Sequence, residues 1–258
     1  MIVTIAFGGD LGILRNGCCK GFAGHPGSMP EVRIELYKLI KVSGEDAVGF
    51  LQGQLTQDVG QLAATGRMLA AWCNARGRVI VVVRLVAIDD GIAMIVPDDM
   101  ADSILTKLLM YRFRAKVDLA VTDDDCGELM DPRDADPRAL ILSGIPHIDS
   151  GNSEAFTPHM LNLDKLDAIS FTKGCYTGQE IVARTEHIGK SKRRIMRYLA
   201  DGDDVTAGAA VTDGERNVGA VVNVVGRDVL AVTPVEKHDS DLSVGAITLS
   251  PQGLPYLV

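Results

Sequence analysis

Residues Lys173–Arg184 read KGCYTGQEIVAR. Two glycines, Gly174 and Gly178, bracket a cysteine and a tyrosine. Glycine in that role marks a bend where backbone comes close to another part of the chain. From Gly178 to His187 the spacing is helical, with Ile181 and Val182 apolar. Glu180 and Arg184 form an acid-then-base pair four residues apart, which supports a helix by about 0.2–0.5 kcal/mol. Cys175 therefore sits just ahead of a helix N-terminus. The helix dipole and the nearby Lys173 would both favour thiolate over thiol. A thiolate is the form that nucleophilic attack or metal ligation requires. The competing reading is a small, inert cysteine buried in a turn.

The same segment divides the chain. Upstream, strands and helices mix. Val32–Val42 has strand character and closes at Ser43-Gly44. Asp46–Leu55 places Val48, Leu51 and Leu55 on one helical face, with Ser43 as N-cap and Asp46 as its partner. Met68–Asn74 and Arg78–Ile88 are two strands around the turn Ala75-Arg76-Gly77, and Ile92–Val96 is a third. Pro97 to Leu109 is a helix with Ile104, Leu105, Leu108 and Leu109 inward, and Arg114–Val121 is a strand. This order predicts an α+β domain around a mostly antiparallel sheet. Thr122–Pro137 is acidic and reads as a loop. Leu140–Ile145 is a short apolar stretch, and Asn152–Leu166 has little periodicity.

Downstream of Arg193, the runs Ile195–Leu199, Val218–Val225, Val229–Val232 and Ala246–Leu249 alternate with Asp, Gly and Asn turns. Short strands at this spacing predict a small β-barrel or sandwich. The expected domains are 29–192 and 193–258, with the boundary near Lys192. Residues 1–28 are rich in glycine and lack periodicity. They read as a weakly ordered arm or as the product of an upstream start, with Met29 the native one.

Composition sets limits. In 258 residues, 47% are apolar and 23% charged, enough for a packed core. Aromatics are 5% and net charge is -8, which argues against a nucleic-acid platform and weighs against RNA or DNA contact. Five cysteines without a CxxC pair fit a reduced cytoplasmic compartment better than a disulfide framework. No apolar run reaches the ~18 residues of a membrane span. The histidines His147, His159 and His187 show no metal-ligand spacing, so no metal site is expected. One cysteine cannot hold an iron–sulfur cluster, which takes four ligands, so any cluster at Cys175 would be transient or shared with a second molecule. Arg184, Lys190, Lys192, Arg193, Arg194 and Arg197 form a basic cluster. It reads equally as an anion-binding surface and as a solvated linker paired to acidic loops.

At Lys173–Glu180, with the lead-in Phe171-Thr172 and the tail Ile181–Arg184, the sequence resembles the YgfZ family, relatives of the glycine-cleavage T-protein. Phe50–Val59 (FLQGQLTQDV), Ala71–Arg78 (AWCNARGR), Gly144–Asp149 (GIPHID), Phe156-Thr157-Pro158, Leu161-Asn162-Leu163 and Leu254-Pro255-Tyr256 agree with it. The resemblance covers roughly residues 31–258. It implies a folate-binding α+β domain of T-protein type, a C-terminal β-barrel and a role in iron–sulfur cluster assembly or repair that affects tRNA methylthiolation. Clients would be cluster enzymes or assembly proteins. Carried over onto matching positions, the functional centre is Cys175, with Lys173, Tyr176, Gln179, Glu180 and Arg184 beside it. The tetrahydrofolate contacts would be Tyr37, Gln54, Asp58, Gly174 and Gly178, with Tyr37 standing where the family has a tryptophan and able to stack on a pterin.

Two departures bear on the folate. The connection Thr122–Pro137 is tens of residues shorter than in longer members. Before the glycine of GIP the family has an acid that anchors the pterin ring, whereas this chain has Leu140-Ile141-Leu142-Ser143, and the second family tryptophan falls at about Asp136. Three functions follow for comparison: an accessory factor acting through Cys175, a folate-dependent aminomethyltransferase with Asp58 or Glu180 handling the proton, or a binding module using Arg184–Arg197.

Overall fold

The computed structural model describes residues 36–256, apart from Asp125, Lys190, Glu215 and the side chain of Arg133. The expected arm at 1–28 and Lys190 of the basic cluster lie outside the described residues. Among them, β1 (Tyr37–Ser43), β2 (Arg67–Cys73), β3 (Val79–Ile88), β4 (Gly91–Pro97) and β5 (Asp118–Thr122) form one sheet in the order β2-β3-β4-β1-β5. Every neighbouring pair is antiparallel. The sequence of β3, VIVVVRLVAI, explains its interior place between β2 and β4: β-branched residues fit a pleated surface buried on both sides. Its one charge, Arg84, is buried and lies 2.9 Å from Asp134.

One face of the sheet packs under α1 (Ala47–Gln52), α2 (Leu62–Thr65) and α3 (Ala101–Tyr111), burying Ile40, Val42, Leu51, Val81, Leu85, Ile104 and Leu108. Two expectations are corrected here. Val48 and Leu109 point to solvent, because one short apolar stripe per helix covers the sheet and these residues lie off it. Ser43 stays in β1, and Asp46 precedes α1 while its carboxylate accepts the Lys116 amide at 2.7 Å instead of capping the helix.

The connection after β5 is not only loop. It holds a 3-10 turn at Cys126–Glu128 and α4 (Pro132–Ala135), and the apolar stretch after it is α5 (Pro137–Ser143). The Asp136 side chain caps α5 by accepting the Arg138 amide at 2.9 Å, and Gly144 ends the helix in the left-handed region at φ 68. Cys126 and Met130 of this connection pack on Tyr37, Leu39, Ala93 and Ile95, on the second face of the sheet.

After α6 (Gln179–His187), β6 (Arg193–Ala200), β7 (Ala210–Asp213), β8 (Arg216–Val225), β9 (Asp228–Pro234), β10 (Leu242–Val244) and β11 (Ile247–Gln252) close a barrel in the order β10-β11-β6-β9-β8-β7. The short strands β7 and β10 are the ones that alternation in the sequence did not mark. Barrel residues Ile195, Val222, Leu230 and Val232 share a core with Ala71, Cys73, Val79 and Val82 of the sheet. Between them lie Ile148, Phe156, Leu161, Leu163 and Ala168 from the irregular stretch 144–171. The aperiodic segment is therefore the mortar between sheet and barrel.

Candidate functional site

The sequence FLQGQLTQDV forms α1 and the turn after it. Thr56 stitches that turn to β2 and to the irregular stretch: its hydroxyl donates to the Ala168 carbonyl at 2.6 Å and accepts the Ala71 amide at 2.8 Å. The Ser170 amide donates to the Thr56 carbonyl at 3.0 Å. This brings residues 170–176 alongside the C-terminal end of α1. There the Lys173 ammonium donates to the carbonyls of Gln52 (2.7 Å), Leu55 (2.6 Å) and Gln57 (3.0 Å), and it lies 5.0 Å from the centre of the Tyr176 ring. Lys173 is 9% exposed and Tyr176 7%.

Burial lowers the Lys173 ammonium to about 8, with the Asp58 charge acting the other way. The three carbonyls need donors, which favours the protonated amine. All three donors of the Lys173 ammonium are thus committed to a carbonyl cage, and none is left for a hydrogen bond to Cys175. Asp58 and Gln54 also belong to this turn. The Asp58 carboxylate accepts from the Gln52 amide group at 2.8 Å and from the Gly60 amide at 3.2 Å, and Gln54 Oε1 is buried without a hydrogen-bond partner.

Lys173 and Tyr176 point inward while Gly174 and Cys175 are exposed. The result is a two-residue tip pinned on both sides. A Cβ placed on Gly174 would meet nothing within 4 Å, so the approach to Cys175 is open. Beyond the tip, the Gln179 side chain accepts the Tyr176 amide at 3.3 Å, and Gly178, at φ 84, starts α6. Glu180 and Arg184 pair at 2.9 Å on the solvent face of that helix.

The structure thus gathers Cys175, Lys173, Tyr176, Gln179, Gly174 and Gly178, with Gln54 and Asp58 beneath. It does not bring Tyr37 to them. Tyr37 lines a separate pocket of about 180 Å³ with Leu140, Ile141, His147, Asp149 and Asn223. Its hydroxyl and His147 Nδ1 are 3.0 Å apart, His147 meets its ring edge-on, and the Arg84 guanidinium lies 5.2 Å from the ring centre. Burial holds the Tyr37 hydroxyl above and the His147 imidazole below their ordinary values.

Cys73 ends β2 beneath this loop, fully buried, and burial pushes its thiol up to about 12 from an ordinary 9.0. The folded chain keeps a proton that the unfolded chain releases. That contribution is whole below pH 9 and is lost as pH rises toward 12. Lys173 acts oppositely, gaining stability between about 8 and 10.5. Above pH 10.5 the Lys173 gain is complete and the Cys73 loss continues, about 1.4 kcal/mol per pH unit for such a group, alongside that of the buried tyrosines Tyr176 and Tyr198, whose hydroxyls burial also raises. Urea unfolding across pH 10.5–12 is expected to show a shallower decline in Cys73→Ala than in the parent chain.

Sequence reasoning passed over two histidine contacts, that of His147 with Tyr37 and that of His159 with Glu186. His159 is buried, and its Nε2 pairs with Glu186 at 3.0 Å. Asp164 lies close enough to complete a three-ligand group, but both its oxygens hold Arg194, at 2.8 and 3.0 Å. A cation there would face that guanidinium. The basic cluster is likewise partly consumed, with Arg194 on Asp164, Arg197 on Asp228 at 3.3 Å and Arg184 on Glu180. No helix of the described residues is long and apolar enough to cross a membrane.

No model of a known protein family matches the chain. Among solved structures, the glycine cleavage system aminomethyltransferase T from Bartonella henselae superposes with a TM-score of 0.62 at 15% identity, over 87% of this chain and 85% of that one. The architecture is thus that of the aminomethyltransferase T fold, an α+β domain followed by a barrel. The tRNA-modifying protein YgfZ of Klebsiella pneumoniae is 30% identical over 262 residues, covering 74% of this chain and 80% of that protein. That of Edwardsiella ictaluri is 31% identical over 230 residues, covering 64% and 69%. The chain belongs to the YgfZ family. The YgfZ protein of Yersinia pseudotuberculosis, 27% identical, aligns over 309 positions with 87% of this chain and 92% of its own length, so a long stretch of it has no counterpart here.

Proposed function

We propose that the protein is an accessory factor for iron–sulfur cluster assembly or repair, supporting cluster enzymes that include those of tRNA methylthiolation, and that it acts through Cys175. The observation that carries this reading is the exposed Cys175 on a tip anchored by Lys173 on one side and Tyr176 on the other. A pinned tip presents a sulfur to a large partner without rearrangement, which lowers the ordering cost of the encounter. The cluster is the cargo. Cys175 supplies one thiolate, and the other ligands must come from the client or an assembly protein. The curated relatives are named tRNA-modifying proteins, which agrees with a client pathway ending on tRNA.

The tetrahydrofolate implied by the resemblance finds a poor fit. Arg84 and His147 already occupy the ring of Tyr37, which is 6% exposed. Leu140 and Ile141 line the pocket where an acid would anchor a pterin, and both polar atoms of the Asn223 side chain are taken by the His147 backbone. Gln54, Asp58, Gly174 and Gly178 do not line it. No step of the proposed function runs through a folate.

The test is complementation. In cells lacking the gene, Cys175→Ala is expected to leave cluster-enzyme activity and methylthiolated tRNA at the level of the deletion, while its thermal unfolding matches the parent chain. Full rescue by Cys175→Ala would refute the proposal.

A further inference from the structure

β2 is an edge strand, and on its second face Arg67 and Leu69 lie against Arg84 and Val86 of β3. The register pairs Leu69 with Arg84 and Arg67 with Val86, so the two arginines are diagonal neighbours on one face. The connection after β5 passes over them with Leu129, Met130, Asp131 and Asp134. Between strands and connection is a pocket of about 120 Å³, separate in its lining from the pocket at Tyr37.

Arg84 is 6% exposed, and both its Nε and Nη2 are buried without a hydrogen-bond partner. These two nitrogens form one edge of the guanidinium, the edge that grips a carboxylate through two parallel N–H bonds. Asp134 Oδ2 lies 2.9 Å from Nε, yet no hydrogen bond forms. It offsets the charge from off the line of the Nε–H bond, so a ligand carboxylate entering this edge has to displace it. Two buried donors on one charged edge carry a substantial desolvation cost unless an acceptor reaches them. The Tyr37 ring, 5.2 Å from Arg84 Cζ, helps hold the guanidinium in place.

We propose that this pocket is a carboxylate site. The Nε–Nη2 edge of Arg84 takes the carboxylate of a small ligand, Arg67 adds a second positive charge at the rim, and Met68, Leu69, Leu85, Leu129 and Met130 receive a short apolar body. This assignment is independent of the role given to Cys175.

The probe is butanoate, titrated into the full chain while the ¹⁵N resonance of Arg84 Nε–H is followed. The expected result is a saturable shift with butanoate, none with the neutral isostere butanamide, and at least tenfold weaker binding of inorganic phosphate, which lacks the apolar body. Arg84→Lys keeps the charge, loses the fork and is expected to abolish the response, read on the Leu69 amide. Asp134→Asn removes the competing carboxylate and is expected to tighten butanoate binding at least threefold, an effect that a purely structural ion pair would not produce. Absence of a saturable shift, equal binding of butanamide or phosphate, or unchanged or weaker binding by Asp134→Asn would each overturn the assignment. Should Arg84→Lys fail to fold, Asp134→Asn decides.

Discussion

Lys173→Met is expected to lower the unfolding free energy by about 2–4 kcal/mol, measured by urea titration at pH 7. Methionine keeps the length and apolar stem of the side chain but carries no donor. The carbonyls of Gln52, Leu55 and Gln57 would then lose the ammonium that satisfies all three. Leaving buried acceptors unpaired costs about 1–3 kcal/mol each before relaxation. Loss of the cation beside the Tyr176 ring adds up to about 1 kcal/mol, while methionine escapes the cost of burying a charge. Cys175→Ala, at the exposed tip, is expected to leave stability unchanged. The pair of variants separates two accounts of the lysine. If Lys173→Met has parental stability but lowers the iodoacetamide reactivity of Cys175, the lysine serves the thiol and the carbonyl cage is incidental.

That cage shows what the sequence carried and what it did not. Gly174, Gly178 and the helix after it are local features, so the bend was legible from residue types and spacing, whereas both an exposed and a buried Cys175 were open readings until the fold placed it at the surface. The destination of the Lys173 side chain was not. Its partners are backbone carbonyls more than a hundred positions earlier in the chain, and carbonyls leave no trace in sequence. Tyr37 illustrates the same limit: its ring is occupied by Arg84 and His147, brought there by sheet register and by a segment without periodicity. The hairpin Arg67–Ile88 and the barrel were legible because β-branched runs and glycine turns repeat at strand spacing. The connection after β5 was read as loop because its helices are single turns, too short for periodicity to register, and they form by packing Cys126 and Met130 on the sheet. Residue likeness at KGCYTGQE reached the family directly, where composition and spacing reached only the fold class.

Gly178→Ala is expected to destabilise the chain by about 2–4 kcal/mol and to change the alkylation rate of Cys175. Gly178 sits at φ 84, where an L-residue is disfavoured by roughly 1–2 kcal/mol. Its added Cβ would also lie 2.5 Å from the Asn74 carbonyl oxygen and 3.2 Å from the Cys73 Cβ. The turn holding that oxygen cannot easily yield. The Gly77 amide donates to the same carbonyl at 2.9 Å, and the Asn74 side chain accepts the amides of Arg76 and Arg78 at 2.9 and 3.0 Å. Gly77 in turn packs against Ile181 of α6, with no room for a side chain of its own. Relief must come from α6 moving off the hairpin, and the tip that leads into α6 moves with it. Gly174→Ala is the matched control, since its Cβ meets nothing within 4 Å and its φ lies outside the left-handed region. It is expected to change stability by less than about 0.5 kcal/mol. Unfolding curves and iodoacetamide rates for the two variants test whether one glycine, and not its neighbour four residues earlier, sets the position of the sulfur. Equal behaviour of the two would show that the tip is positioned by something other than the contact between α6 and the hairpin.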